Sequence, residues 1–187
     1  MSVFTKRLST IAMNEYSKYR FLRENQDPLK SRIPTYWSAT STAFTSVAVP
    51  WSAVFVSWCV QTAGAKPNDF LFDPQHSQFV YAAINQLPNS TGYEGHDVAT
   101  YSPKVGDILH NNRSGQAFGF AYASTKRSYT SHSAIVMEVG QDNGGGYLRT
   151  IGGNEGDTVG MREVRLNPSG TVRNTNSLYI SVLECLL

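Results

Sequence analysis

The chain has 187 residues, enough for one domain with a substantial core. Hydrophobic residues make up 41% and charged residues only 16%, so the polar surface relies on Ser, Thr, Asn and Gln, which suits a folded globule and not a disordered chain. The 16 basic and 14 acidic side chains leave a net charge of +2 without like-charge blocks, so nucleic acid finds little to bind, and no apolar run is long enough to span a bilayer.

The first segment, Phe4 to Arg23, places Leu8, Ile11, Ala12, Tyr16, Tyr19 and Leu22 on one face of a helix. Asp27-Pro28 ends it, because the residue before proline avoids helical geometry. Met1 to Leu8 lacks an apolar core and a small-residue cleavage site, so the expectation is a protein made in the cytoplasm without a standard signal peptide. A short helix is expected after Pro34, carrying Tyr36 and Trp37, followed by a Ser/Thr-rich loop from Ser38 to Ser46.

The most informative element comes next. Pro50 suits a helix start, the run Trp51 to Ala63 is apolar on nearly every face, and Gly64 supplies a left-handed stop. Such a helix is buried on nearly every side, which leaves Ser52 as the first polar group at its exposed mouth. The bland reading of Ser52 is an N-cap, for which serine is favoured. The functional reading is a nucleophile, because a helix start directs free N–H groups and partial positive charge at whatever lies ahead. A hydroxyl there needs a close general base. Cys59 lies seven residues further on, about 10 Å deeper by helix rise, and reads as a core thiol. With Cys185 it makes no disulfide framework.

A helix from Pro74 to Leu87 follows, with His76 near its start. The period then changes to two. Asp107 to Leu109, Ser133 to Val139, Tyr147 to Ile151, Met161 to Leu166 and Leu178 to Leu183 read as strands, with a hairpin at Asp142-Asn-Gly-Gly-Gly146. Helices first and antiparallel strands afterwards predict an α+β fold, in one domain spanning 1–187 with a helical extension over 1–31 and a core over 32–187.

His132, at the start of an apolar strand, is the best candidate base for Ser52. Asn154, after the next strand, could orient its imidazole, and Glu155 competes for that role. Glu138 alternates onto the face of His132. His76 could line the cleft or act as a second base, Arg113 could fork onto a substrate carboxylate, and Asp107 reads as a brace for loop N–H groups. His96 and His110 read as loop residues. No metal-ligand spacing, Gly-x-Ser-x-Gly elbow or phosphate loop is present, so no metal or cofactor is expected.

The order helix-start nucleophile, strand histidine and next-strand polar residue resembles the papain-like cell-wall peptidases of the NlpC and CHAP kinds. Trp51-Ser-Ala-Val-Phe-Val-Ser-Trp58 looks like their Trp-Cys-Ala-x-Phe-Val signature, Lys104-Val-Gly-Asp-Ile-Leu109 like their Gly-Asp strand, and His132-Ser-Ala-Ile-Val136 like their histidine strand. A bacterial domain family of unknown function, grouped with them, is closer. It shares Pro50-Trp-Ser-Ala-Val-Phe55, Gly64, His76-Ser-Gln-Phe79, Gly106-Asp107 with Arg113, His132 to Val136 and Ile151-Gly-Gly-Asn154.

The resemblance implies a papain-like fold with helices packed on an antiparallel sheet. It also implies hydrolysis of peptidoglycan amide bonds with Ser52, His132 and Asn154 as the catalytic set, and Trp51, His76, Arg113 and Glu155 around the substrate. Ser52 departs from the cysteine of the cell-wall peptidases. That departure keeps open an inactive module that binds the cell wall or a partner. An antibacterial effector exported to a target-cell periplasm, with a cognate immunity protein, and a phage lytic protein are the two expected settings.

Overall fold

A computed structural model describes residues 1–187. Helix α1 (Val3–Tyr19) starts at Ser2, whose hydroxyl accepts the Thr5 N–H. It is followed by α2 (Leu29–Tyr36), a 3-10 turn at Trp37–Ala39, α3 (Ser52–Ala63) and α4 (His76–Ile84). The later chain supplies β1 (Tyr93–Asp97), β2 (Ile108–Asn112), the short α5 (Phe120–Ala123), β3 (Ser131–Asp142), β4 (Gly145–Gly152), β5 (Gly160–Arg165) and β6 (Tyr179–Cys185). The strands form one antiparallel sheet in the order β1-β6-β2-β3-β4-β5. Five helices on a six-stranded antiparallel sheet make the α+β architecture.

Helix α3 is the centre of the core. Val54, Phe55, Val56, Cys59 and Val60 are fully buried, packed with Leu8 of α1, Ile33 of α2 and the sheet residues Ile108, Ile135 and Ile151. Segment 1–31 is therefore built into the same core as the rest of the chain. The far face of the sheet holds a smaller cluster, including Leu109, Val136, Leu148 and Val182. Gly64 ends α3 with a φ of 116°, the left-handed geometry that glycine adopts without steric cost.

A buried polar knot fixes α3 against α1 and α2. Glu15 accepts two bonds from the Arg32 guanidinium, at 3.0 and 2.8 Å, and one from the Tyr36 hydroxyl at 2.5 Å. Tyr36 in turn stacks on Trp51 and meets Phe55 edge-on. A buried carboxylate persists only with such partners.

Several expectations give way here. The second helix begins at Leu29, before Pro34, and contains that proline. Pro34 falls in the last turn, where it removes one backbone bond while Leu29, Ile33 and Tyr36 still bury a common face. His96 and His110 lie in strands, not loops: His96, in β1, stacks on Tyr101 from the loop that follows, and His110 is fully buried in β2. Strand β1 reads Tyr-Glu-Gly-His-Asp and carries no apolar alternation to reveal it.

Candidate active site

Ser52 is the first residue of α3, and its hydroxyl is not a cap. No side chain caps this helix, and Ser52 Oγ instead lies 2.7 Å from Nε2 of His76, the first residue of α4. The first-turn N–H groups of α3 are thus free of any capping side chain, as an oxyanion site requires. Ser52 is only 2% exposed, less open than the sequence suggests, because Pro50 and the residues around His76 close over the helix start. It reaches open space through a cleft of about 300 Å³ that it lines with His76, Arg113, Tyr129 and Ser131.

His76 is buried, at 6% exposure, and its other ring nitrogen, Nδ1, has no hydrogen-bond partner. Contacts with aromatic rings fix its plane: Phe79 stands edge-on at 5.5 Å and the His132 ring at 5.3 Å. Burial holds the His76 pKa well below the usual imidazole value, and the nearby His132, His110 and Arg113 push it the same way. His76 is therefore neutral at neutral pH, and the same burial makes it a weak base.

His132 lies at the second residue of β3, buried to 6% exposure. Its Nε2 is 3.1 Å from Glu155 Oε1, and the opposite carboxylate oxygen of Glu155 accepts from Arg162. Burial pushes the Glu155 carboxyl up, but the bond and charge of His132, reinforced by Arg162, bring it below the usual carboxylate range. Glu155 therefore remains ionised and braces His132. His132 Nδ1 makes no hydrogen bond within the protein.

The side chain hydrogen-bonded to the His132 ring is thus Glu155, and Asn154 makes no side-chain hydrogen bond to it. Asn154 adopts a left-handed φ of 54° just beyond the end of β4, so the chain turns there and the following residue points back at the imidazole. Two glycines make room for this arrangement. A Cβ on Gly152 would come within 2.5 Å of Glu155 Oε1 and 3.0 Å of His132 Nε2, and one on Gly153 within 2.5 Å of Phe55 Cβ. The Ile151-Gly-Gly-Asn154 stretch therefore lets the end of β4 and the residue after it pass close to both the histidine–carboxylate pair and α3.

Other expected residues fall elsewhere. Trp51 has no exposed surface and cannot touch substrate; its indole N–H donates to Glu24 at 2.9 Å and its ring anchors the start of α3. Glu138 does not join His132. A bulge between Val136 and Glu138 breaks the alternation, and Glu138 pairs with Tyr147 and Arg149. Asp107 accepts the Lys104 and Cys185 N–H groups, a structural brace. Cys59 is fully buried and burial raises its thiol pKa well above normal, which removes it as a nucleophile.

The sequence does not reveal a second buried histidine set. His110 Nδ1 lies 2.8 Å from Ser133 Oγ and its Nε2 lies 3.1 Å from the Tyr129 hydroxyl. Burial lowers the His110 pKa to about 3. It holds Tyr129 in the cleft wall, and only the β2–β3 register, which sets His110 opposite Ser133, makes the link visible.

No helix is long and apolar enough to cross a membrane, and no group of His, Cys, Asp and Glu side chains forms a metal-binding cluster. No curated protein and no solved structure matches the chain. A model of a bacterial family, described as an uncharacterized protein conserved in bacteria (DUF2272), matches residues 8–181, and the chain belongs to that family.

Proposed function

We propose that this protein hydrolyses amide bonds in peptidoglycan stem peptides, or at their junction with the sugar, through a serine–imidazole site whose base, His76, comes from a helix and not from the sheet. The observation that carries the reading is the 2.7 Å contact between Ser52 Oγ and His76 Nε2 at the start of a buried helix, on the wall of an open cleft. The substrate class rests on the resemblance of the Trp51 to Trp58, Lys104 to Leu109 and His132 to Val136 stretches to cell-wall peptidases. The layout of a helix-start nucleophile against a sheet that carries a histidine and its carboxylate supports the papain-like comparison.

In this mechanism Ser52 Oγ attacks the scissile carbonyl carbon while His76 Nε2 takes its proton. The free N–H groups at the start of α3 receive the carbonyl oxygen as it becomes negative. His76 returns the proton to the leaving amine, the C–N bond breaks, and water releases the acyl group from Ser52 by the same steps in reverse. His132, fixed by Glu155, stands edge-on to the His76 ring at 5.3 Å and helps hold that ring in register.

Purified protein incubated with peptidoglycan fragments tests this. New amines should appear with the wild type and vanish in Ser52→Ala, His76→Ala and His132→Ala. A second reading, a module that binds wall peptides without cutting them, draws support from the 2% exposure of Ser52 and the weak basicity that burial imposes on His76. Unchanged fragments with retained binding would select that reading.

A further inference from the structure

We propose that the cleft in front of Ser52 selects peptides carrying a free carboxylate close to the bond to be cut, with Arg113 as the residue that pairs it. The inference rests on reading this cleft as the substrate site.

Arg113 directly follows β2 and is the only formally charged side chain lining the cleft besides the titratable His76. It is half-buried, yet its guanidinium makes no ion pair, no hydrogen bond and no aromatic contact. The other half-buried arginines are engaged: Arg32 with Glu15, Arg149 with Glu138, Arg165 with Asp142, and Arg20 with the Ser17 carbonyl. A partly desolvated cation without a partner is costly unless a ligand supplies the counter-charge.

Ser131 is the independent second feature. It lines the same cleft, is only 7% exposed, and its hydroxyl has no hydrogen-bond partner. Ser131 pairs with Asn112 in the β2–β3 ladder, so Arg113 and Ser131 sit side by side at the end of two adjacent strands. A planar fork of N–H donors beside an unused hydroxyl fits a carboxylate. A single guanidinium with no lysine lining the cleft is a poor match for a phosphate dianion.

Calorimetry on the Ser52→Ala protein, which cannot turn substrate over, provides the test. The probes are the tetrapeptide L-Ala-γ-D-Glu-meso-diaminopimelate-D-Ala and the same peptide with its free carboxylates amidated. The free acid should bind at least about tenfold more tightly, and adding Arg113→Gln should shrink the preference to about twofold or less. Arg113→Lys should recover part of it, and Arg127→Gln, the same charge change on an exposed residue stacked on Tyr81, should keep all of it. Equal affinity for the two peptides, no binding of either, or a preference that survives Arg113→Gln overturns the proposal. Cleavage by the wild type is read separately. Cleavage without a carboxylate preference removes only the role of Arg113, while a preference without cleavage removes only the hydrolase.

Discussion

Ser52 Oγ and His76 Nε2 come from the first residues of two different helices and meet at 2.7 Å. Replacing Ser52 by alanine should lower turnover by at least about 1000-fold, since nucleophile and base act as a unit. The same change leaves His76 with both ring nitrogens unpaired in a buried site. Urea unfolding should therefore show a stability loss of about 1–3 kcal/mol.

Ser52→Cys should be an active enzyme. A helix start beside an imidazole lowers a thiol's pKa, whereas a hydroxyl stays protonated until it attacks. Rates measured between pH 6 and 9 should show cleavage by the cysteine variant, together with new sensitivity to iodoacetamide. An inert cysteine variant would contradict the placement of the nucleophile.

Stability should fall as the solution becomes mildly acidic. His76 and His110 have folded pKa values below the unfolded value near 6.5, so the unfolded chain binds their protons first. The stability they contribute is present above that value and declines as pH falls toward their folded values. Between pH 6 and 5 each should account for about 1 kcal/mol per pH unit. His110→Gln should flatten the slope of unfolding free energy against pH in that window.

Glu155 acts with the same sign at lower pH. Its folded pKa is below the ordinary carboxylate value, so its contribution is complete above that value and disappears as pH falls through the folded one. Glu155→Gln should remove this acid limb and reduce activity by about 100-fold, because His132 loses the carboxylate that fixes its ring. Its pH–rate profile should shift as well, a change that a loss of packing alone would not produce.

Much of the architecture can be read directly from the chain. Pro50 and Gly64 bracket α3 to within two residues, and the apolar alternation from β2 onward marks every later strand. Strand β1 escapes because its residues pack at an edge and need no hydrophobic period. The site is half legible. Ser52 and His132 stand out through their local setting, but the Ser52–His76 contact spans 24 positions and depends on how α3 and α4 pack. The choice between Asn154 and Glu155 turns on one left-handed residue, whose tolerance for that geometry the sequence allows but does not enforce.

Gly152 and Gly153 connect fold and site. Gly153→Ala would drive a methyl into Phe55 at the core and should cost about 1–3 kcal/mol of stability. Gly152→Ala meets the movable end of Glu155 instead, so it should cost less stability and proportionally more activity. Thermal unfolding and turnover measured on both variants would test that contrast.

Labelling with a serine-directed fluorophosphonate, followed by peptide mass spectrometry, addresses the nucleophile itself. One adduct is expected, on the peptide containing Ser52; it should be absent from Ser52→Ala and form far more slowly in His76→Ala. An unlabelled wild-type protein, or an adduct that maps elsewhere and persists in Ser52→Ala, would contradict the assignment.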